Sequence, residues 1–385
     1  MRIHGRSVPL ILPYRGTLGM NGYLTVLGLA GLLGCSTDWQ STEAADFDYS
    51  RLVSEDPGSR VSLELIRQAV LDFPVSSMVN WHSDTSFALI ESQEQRGIIL
   101  GLDGQVIAAR GRKGTGPGEL TGGIQLFPGR EGEMAVVDLA LNRVTVFNAD
   151  ASPGATISIS GRPIKLLGFS TETLTVLVHG TASNAVAYYS PLSGELLGEI
   201  DLEPLGTEPV VGGNHSSPGV AVVAKDDSSN LYLADPFDYR IVQLSGGLSV
   251  RSSLTTPEIE PLYLSDDAIA ARTEGALRGL EGVSGAMRSQ AAKALETTLS
   301  AQQPHFGPYS ITAGGGWVFV VRRLASGKAS VIDVFGDGKL LGSFPFPLVI
   351  QGIDGSAGRI AFIASPDPFG VDHEQILFTY RFVAE

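Results

Sequence analysis

Short apolar runs separated by polar turns recur along the chain from about residue 60 onward. Six of these runs are rich in β-branched and aromatic residues and have the length of a strand, as in Leu174–Val178 and Trp317–Val321. Each is followed, after a polar break, by a second run of the same kind, as in Val186–Tyr189 and Val331–Phe335. The pattern predicts antiparallel sheets of short strands over most of the chain.

Turn signals give these sheets a regular spacing. Residue pairs that accept the positive φ of a tight hairpin follow five of the second runs, and these pairs are Asp103-Gly104, Asp150-Ala151, Ser193-Gly194, Gly246-Gly247 and Asp337-Gly338. Their intervals are 47, 43, 53 and 91 residues, and the last becomes 53 when a 38-residue segment of different character, Ser265–Gln302, is set aside. Periods of about 40 to 55 residues with four strands each are typical of propeller blades, whereas a solenoid, the alternative, usually has shorter repeats.

The two ends of the chain complement one another in this scheme. The sixth unit has three strands before Glu385, so it lacks its outer strand. The segment Val61–Ile66 precedes the first full unit and belongs to no other. Pairing the two ends would close the ring and remove an exposed sheet edge. We therefore predict an all-β fold, a six-bladed β-propeller over residues 60–385, with a helical insertion between blades 4 and 5.

The insertion, Ser265–Gln302, has the signals of helix. Ser265 is a suitable N-cap, and Asp266 and Asp267 follow it at the positive end of the helix dipole. Apolar residues recur mostly at steps of three or four, and several glycines in the middle favour a division into two helices. Two roles stay open, a lid or partner-binding hairpin over the channel and a structural insert that packs on blades 4 and 5.

The N-terminus has the pattern of a secretory signal. Arg2, Arg6 and Arg15 precede an uncharged apolar run, Tyr23–Gly34, and no acid occurs in this stretch. A helix over that run would be only ~18 Å long, too short for a hydrocarbon core of ~30 Å. A positive region followed by a short apolar region is typical of a signal peptide, which we place at residues 1–34.

The end of this run resembles a bacterial lipobox, Leu32-Leu33-Gly34-Cys35, although Leu33 replaces the small residue that is usual there. The resemblance implies a lipid on Cys35 and hence membrane attachment, since several acyl chains anchor a protein stably. The polar residues 35–59 would then form a flexible tether. We expect the protein in the cell envelope, lipid-anchored, on the periplasmic or outer-membrane side.

Net charge and cysteine content exclude one class of partner and two kinds of cysteine-based site. The formal net charge is −14, from 41 acidic and 27 basic residues. A field of this sign repels phosphate backbones, so we expect no nucleic-acid partner. The single cysteine excludes a disulfide framework and a thiolate metal cluster.

Two short motifs carry a resemblance to known propellers. Asp-x₄-Arg occurs at Asp138–Arg143 and Asp235–Arg240, 97 residues apart, with a weaker copy at Glu91–Arg96, and this spacing resembles NHL repeats. The third, fifth and sixth units lack the motif. The sequence GRKGTGPGE at Gly111–Glu119 and the stretch Pro304–Tyr380 resemble the bacterial six-bladed β-propeller lipoproteins. That resemblance implies the fold and the anchor, and it assigns no biochemical activity.

The blade geometry predicts where a ligand would bind. In a propeller the links between blades and the loops between second and third strands lie on one face, here called the loop face. The candidate ligand-binding residues on this face are Arg112, Lys113, Glu119, Asp138, Arg143, Asp235, Tyr239, Arg240, His305, Asp372 and His373.

Each group of candidates also has a structural interpretation. Gly111–Glu119 is either an anion cradle or a tight link in which Glu119 pairs with a local arginine. The Asp-x₄-Arg pairs either polarise a ligand or pin their own loops. His373 with Asp372 is the densest combination of metal-binding residues, or a solvated acidic loop. We identify no catalytic residue, since no motif marks a serine or cysteine nucleophile.

The sequence therefore predicts a lipid-anchored extracytoplasmic binding module. Its partners would be the membrane, through Cys35, and a small molecule, glycan or protein on the loop face. This function needs neither a cofactor nor enzymatic activity. One alternative is a hydrolase or lyase with a divalent metal in the central channel, and a second is an assembly scaffold.

The anchor is tested by replacing the lipidated residue. Cys35→Ala should move the protein from the membrane fraction to the soluble extracytoplasmic fraction, because the lipid can no longer be attached. Cell fractionation and immunoblotting measure the distribution. Continued retention in the membrane fraction would contradict the assignment.

Overall fold

The computed structural model describes residues 47–56, 59, 61–76, 78–129, 132–180, 184–202, 222–226, 230–235, 237, 239–244, 250–254, 259–278, 284–307, 309–327, 329–356, 358–366 and 374–384. The predictions for the signal peptide, for Cys35, and for Asp372 and His373 concern residues outside these ranges.

The strands group into six sheets around an axis. The first two strands in the chain are β1 (Arg51–Val53) and β2 (Val61–Leu71). Blades 1 to 3, with a short pair β7–β8 between the first two, consist of β3 (Asn80–Ser83), β4 (Ser86–Glu91), β5 (Arg96–Gly101), β6 (Val106–Arg110), β7 (Arg112–Lys113), β8 (Glu119–Leu120), β9 (Gly123–Pro128), β10 (Met134–Asp138), β11 (Arg143–Phe147), β12 (Pro153–Ser158), β13 (Arg162–Phe169), β14 (Leu174–His179), β15 (Asn184–Tyr189) and β16 (Leu196–Asp201). Blades 4 to 6 consist of β17 (Val222–Lys225), β18 (Leu231–Asp235), β19 (Arg240–Leu244), β20 (Val250–Ser253), β21 (Ile311–Gly314), β22 (Trp317–Arg323), β23 (Ser330–Gly336), β24 (Lys339–Phe346), β25 (Val349–Ser356), β26 (Arg359–Ser365) and β27 (Gln375–Ala384).

Every blade is an antiparallel sheet whose first strand lies at the axis. Blades 1 to 5 each have four strands that follow one another in the chain, and the sixth has the order β1-β2-β27-β26-β25. The fold is a six-bladed β-propeller, as the turn spacing predicts.

The ring is closed by pairing the two ends of the chain. β2 and β27 are antiparallel, with register from Val61↔Ala384 to Leu71↔Gln375 and one irregularity between Leu65 and Arg67. The predicted outer strand is therefore confirmed, and it is longer than the predicted segment Val61–Ile66. Because β2 covers the edge of β27, the sixth sheet is complete only when both termini are in place.

Residues 47–53 correct the predicted boundary of the tether. We expected residues 35–59 to be flexible, but β1 adds a fifth strand to blade 6 and Leu52 is only 1% exposed. The rings of Phe47 and Tyr49 pack edge-on against Phe346. A few apolar side chains are enough to hold this polar segment on blade 6, because burying each of them contributes about 1.5–3 kcal/mol.

Six apolar clusters hold neighbouring blades together, one at each of the six interfaces between the described blades. The second and third strands are buried on both faces, as the all-buried pattern of β4 shows. Each of these strands packs one face on the preceding blade and the other on the following blade. This explains why their sequences are continuous apolar runs and do not alternate with polar residues.

The insertion between blades 4 and 5 forms two helices, α1 (Asp266–Arg278) and α2 (Gly285–Leu299). Ser265 caps α1 as predicted, since its hydroxyl oxygen accepts from the Ala268 amide at 3.2 Å. The Ser265 amide donates to the Ala325 carbonyl at 3.2 Å, which fixes the start of α1 beside the β22–β23 turn of blade 5. Among the described residues, no helix combines the length and the apolar composition needed to cross a bilayer.

Candidate functional site

The repeated Asp-x₄-Arg loops share one backbone feature. The residue before the arginine has a positive φ in all three copies: Gln95 at 51°, Asn142 at 46° and Tyr239 at 50°. Such a conformation is uncommon for residues other than glycine and needs support from the surroundings. Gln95 receives it from the next blade, because its side-chain oxygen accepts from the Gly123 amide at 2.8 Å. In this copy the loop therefore couples adjacent blades.

Asp138 and Arg143 hold the link between blades 1 and 2. The fully buried Asp138 carboxylate accepts from the amides of Thr121 at 2.9 Å and Gly122 at 3.0 Å, and from the amides of its own loop. The Arg143 guanidinium donates to the carbonyl oxygens of Glu119 at 2.6 Å and Thr115 at 3.2 Å. The structural alternative for this pair was that it pins its own loop. The two side chains bind the backbone of the link, and Asp138 also pins its own loop.

The carboxylate of Glu119 occupies the space inside the glycine-rich link Gly111–Glu119. Glu119 accepts from the Gly116 amide at 2.8 Å and from Arg112 Nε at 2.9 Å, and these contacts lower the pKa of Glu119. A Cβ atom on Gly114 would collide with the same carboxylate. Of the two interpretations of Gly111–Glu119, this geometry favours the tight link. Lys113 is exposed beside it.

Tyr239 and His305 do not lie on the exposed loop face, which corrects their assignment as ligand contacts. They are only 1% and 2% exposed, and their rings pack edge-on between blades 4 and 5. The Tyr239 hydroxyl donates to the buried Asp333 carboxylate, which also accepts from Arg322 Nε at 2.6 Å. Burial and the charge of Asp333 raise the pKa of Tyr239 well above its ordinary value.

The other loop candidates in blade 4 lie nearer the surface. Asp235 accepts from the Phe237 amide at 2.9 Å within its own loop. Arg240 is exposed. Their contact with a ligand stays a prediction.

A cavity of about 200 Å³ lies in the central channel. It is lined mainly by first-strand residues of all six blades, namely Met78, Val79, Asn80, Trp81, Gln125, Phe127, Lys165, Leu166, Leu167, Ala224, Lys225, Tyr309, Thr312, Ala313, Ile353, Asp354, Gly355 and Ser356. None of the described loop-face candidates is among them. The cavity, rather than the loop face, is therefore our candidate site.

Polar side chains form a hydrogen-bonded circuit around this cavity, here called the polar ring. Its first half joins blades 1, 2 and 3. Asn80 Nδ2 donates to the Leu126 carbonyl at 3.0 Å, and Gln125 Nε2 donates to Asn80 Oδ1 at 3.3 Å. Gln125 Oε1 then accepts from the Leu166 amide at 2.6 Å.

The second half of the polar ring returns to blade 1. Lys165 Nζ, from blade 3, donates to the Ile311 carbonyl of blade 5 at 2.9 Å. The same atom makes a longer contact, 3.5 Å, with a backbone carbonyl of blade 4. Asp354, from blade 6, accepts from Thr312 Oγ1 of blade 5 and from the Trp81 amide of blade 1, both at 2.9 Å. The circuit therefore involves every blade.

The two charged members of the polar ring have shifted pKa values. Burial lowers the pKa of Lys165 to about 8, although the charge of Asp354 opposes the shift. Burial raises the pKa of Asp354, while its hydrogen bonds and Lys165 act in the opposite direction. The ammonium and the carboxylate compensate each other across the channel, as charges removed from water require.

The cavity is bounded on the loop-face side by Tyr309, which precedes β21. Its hydroxyl donates to the Ile164 carbonyl of blade 3 at 3.3 Å, and burial raises the pKa of Tyr309 to about 12. Phe127, Lys225 and Ser356 lie at or near the other ends of their first strands. Since first strands run away from the loop face, these three residues mark the side of the cavity towards the opposite face.

A metal site was a predicted alternative. Among the residues that the structure describes, no group of three or more His, Cys, Asp or Glu side chains is placed to hold a metal ion. The densest candidates from the sequence, Asp372 and His373, are outside the described ranges.

Comparison with one solved structure supports the architecture, and two further matches are reported beside it. A protein of Bacteroides fragilis NCTC 9343 described as exported matches with a TM-score of 0.51 and 13% identity, covering 86% of this chain and 97% of that one. A member of the duf4221 family from Bacteroides vulgatus matches with a TM-score of 0.49 and 10% identity, over 85% and 99% of the two chains.

A catalytically inactive virginiamycin B lyase from Staphylococcus aureus, solved with quinupristin, has a TM-score of 0.44 and 12% identity over 86% of this chain and 94% of its own. No protein-family model matches the chain, and no curated protein matches its sequence. At 13% identity, the similarity to the Bacteroides fragilis protein shows the fold alone.

The low pKa of Lys165 makes a specific contribution to the pH dependence of stability. Between pH 8 and about 10.5 the unfolded chain holds a proton on this lysine that the folded protein has released, so the free energy of unfolding rises with pH. Lys165→Met should remove that rise, which is on the order of 1–3 kcal/mol. Urea denaturation of both proteins at several pH values measures it.

The exposed residue Lys339, at the β23–β24 turn, provides the matched control. Lys339→Met should keep the wild-type pH profile. If wild type and Lys165→Met differ by a constant amount across this pH range, Lys165 has an ordinary pKa and our account of the polar ring is wrong.

Proposed function

We propose that this protein is an extracytoplasmic binding protein that holds a small molecule in its central channel. The observation that supports this most strongly is the cavity of about 200 Å³ at the axis, lined by residues of all six blades. Its polar walls are fixed by hydrogen bonds between blades before any ligand arrives. A preformed site loses little conformational entropy on binding, which favours affinity.

We further propose that the protein is anchored to the cell envelope by lipid on Cys35 and belongs with the bacterial six-bladed propeller lipoproteins. The arginine-rich N-terminus, the short apolar run and the lipobox-like sequence support this proposal. The Bacteroides fragilis relative is also described as exported. Phe47, Tyr49 and Leu52 pack on blades 5 and 6, and β1 is the outermost strand of blade 6, away from the channel. Attachment through the N-terminal side of this segment is therefore compatible with an accessible channel.

The chemistry of the lining favours binding over metal-dependent hydrolysis or lysis. Asp354 supplies the carboxylate that faces the cavity, and it already accepts hydrogen bonds from Trp81, Thr312 and Gly355. Those three bonds take three of the roughly four acceptor sites of the carboxylate, so a metal ion would find one free site on Asp354. Asp354 is thus a structural member of the polar ring.

A substitution that fills the cavity tests whether the channel is the site. Ser356 lines the cavity at the end of β25, so Ser356→Trp should occupy its open side and weaken ligand binding at least tenfold. A thermal-shift screen of small metabolites, followed by isothermal titration calorimetry of the hits, provides the measurement. Lys113→Ala, on the loop face, is the matched control and should leave affinity unchanged.

Two results would contradict the proposal. Binding that survives Ser356→Trp but is lost in Lys113→Ala would place the site on the loop face. A stoichiometric metal in the purified protein, with no hit from the screen, would favour the hydrolase or lyase.

A further inference from the structure

The charges of the cavity are unbalanced. Its lining contains two lysines and one aspartate, Lys165, Lys225 and Asp354. The charges of Lys165 and Asp354 compensate each other within the polar ring. One positive charge, that of Lys225, is left over, in a protein whose formal net charge is −14.

Lys225 has no hydrogen-bond acceptor among the described residues. Its Nζ lies against the backbone of blade 3, where a Cβ atom on Gly168 would be 3.0 Å away. The side chain is partly buried, and the loss of water lowers the pKa of Lys225. The ammonium group of this cavity-lining residue is therefore partly withdrawn from water and has no described group to accept its hydrogen bonds.

The neighbouring Asp226 does not fill this role. One of its oxygens accepts from the Asn230 amide, and the other accepts from Asn230 Nδ2, both at 2.8 Å. The second oxygen also accepts from the Tyr232 hydroxyl at 3.2 Å. Asp226 is committed to closing the β17–β18 turn, and it influences Lys225 only through its charge.

An anionic ligand would supply the hydrogen-bond acceptor and the negative charge that Lys225 lacks among the described residues. A carboxylate against Lys225 would form charge-assisted hydrogen bonds, which are about twice as strong as neutral ones. The pair would lie inside the ring, where charges are screened less than at an exposed surface. A neutral ligand of the same shape would gain neither contribution.

The rest of the lining sets the size and polarity of the ligand. A cavity of ~150 Å³ accommodates benzene, so the volume here, about 200 Å³, suits a molecule of roughly ten non-hydrogen atoms or fewer. The polar ring has already used its hydrogen-bonding groups between blades. The rest of the lining combines aromatic and aliphatic surface, from Phe127, Ala224 and Ala313, with two polar groups. These are the Ser356 hydroxyl and the indole N–H of Trp81, which has no hydrogen-bond partner among the described residues.

We propose that the channel binds a small organic monocarboxylate, with its acid group on Lys225 and its apolar body against the aromatic and aliphatic lining. This inference rests on the proposed function and specifies its ligand class. The acid confers preference over neutral molecules, and the apolar body confers preference over inorganic anions.

Matched pairs of acid and amide test this inference on the full chain. Isothermal titration calorimetry would use acetate, butyrate and benzoate, each beside its amide, together with inorganic phosphate. We expect benzoate or butyrate to bind at least tenfold more tightly than its amide and than phosphate. This comparison needs only the wild-type protein.

Variants then assign the preference to Lys225. Lys225→Met should weaken binding of the acid at least tenfold and change binding of the amide less than about twofold, whereas Lys225→Arg should retain most of the acid affinity. Lys339→Met, which removes an exposed lysine far from the channel, should behave as wild type. Circular dichroism melting curves check that each variant is folded.

The possible failures are distinguishable. If an amide binds as tightly as its acid, or phosphate competes equally with benzoate, the ligand class is wrong and the channel site stands. Acid binding that persists in Lys225→Met also overturns the inference. If neither acids nor amides bind and the metabolite screen gives no hit that responds to Ser356→Trp, the inference and the proposed function both fail.

Discussion

The pairing of β2 with β27 is the interaction on which the rest of this structure depends. It joins residues 61–71 to residues 375–384 along an antiparallel ladder, so the two ends of the chain are hydrogen-bonded to each other. Without it blade 6 would expose an unpaired edge, and the apolar clusters on both sides of that blade would lose Leu63 and Leu71. Closure therefore fixes the neighbours of every blade.

The polar ring exists only because the blades are held in this circle. Gln125, Lys165 and Asp354 come from three different blades, and each bonds to groups of blades beside or beyond its own. In a low-dielectric interior such groups are costly unless all are satisfied, so a complete circuit favours one arrangement of the blades. The same circuit leaves the channel wall rigid around the cavity and leaves Lys225 without an acceptor among the described residues. Stability and the proposed binding chemistry thus have one physical origin.

The sequence predicted the fold well because the second and third strands of each blade are buried on both faces. Their runs, such as Met134–Val137 and Leu174–Val178, stand out as continuous apolar stretches, and the turn pairs after the third strands give the period. Closure by the N-terminal strand and the division of the insertion into two helices followed from the same patterns. The part of the tether that folds onto blade 6 was missed, because its few apolar residues are scattered among polar ones.

The site was harder to find for a physical reason. First strands face the channel, so they mix polar and apolar residues and look like irregular segments, as in Asn80–Ser83 and Arg162–Phe169. Polar residues within first strands, for example Gln125, Lys165 and Asp354, were the available signal. The charged residues on the loops gave a stronger local pattern, but Asp138, Arg143 and Glu119 serve the link between blades. Which of them lies free for a ligand depends on contacts between blades that no local pattern reveals.

Native-state hydrogen exchange followed by mass spectrometry tests the closed ring most directly. If the β2–β27 pairing holds the propeller together, amides of residues 61–71 and 375–384 exchange as slowly as those of the buried strands in blades 2 and 3. All of them then lose protection together as urea is added. Rapid exchange in residues 61–71 while the other blades stay protected would contradict the account, because the ring would then be stable without its closure.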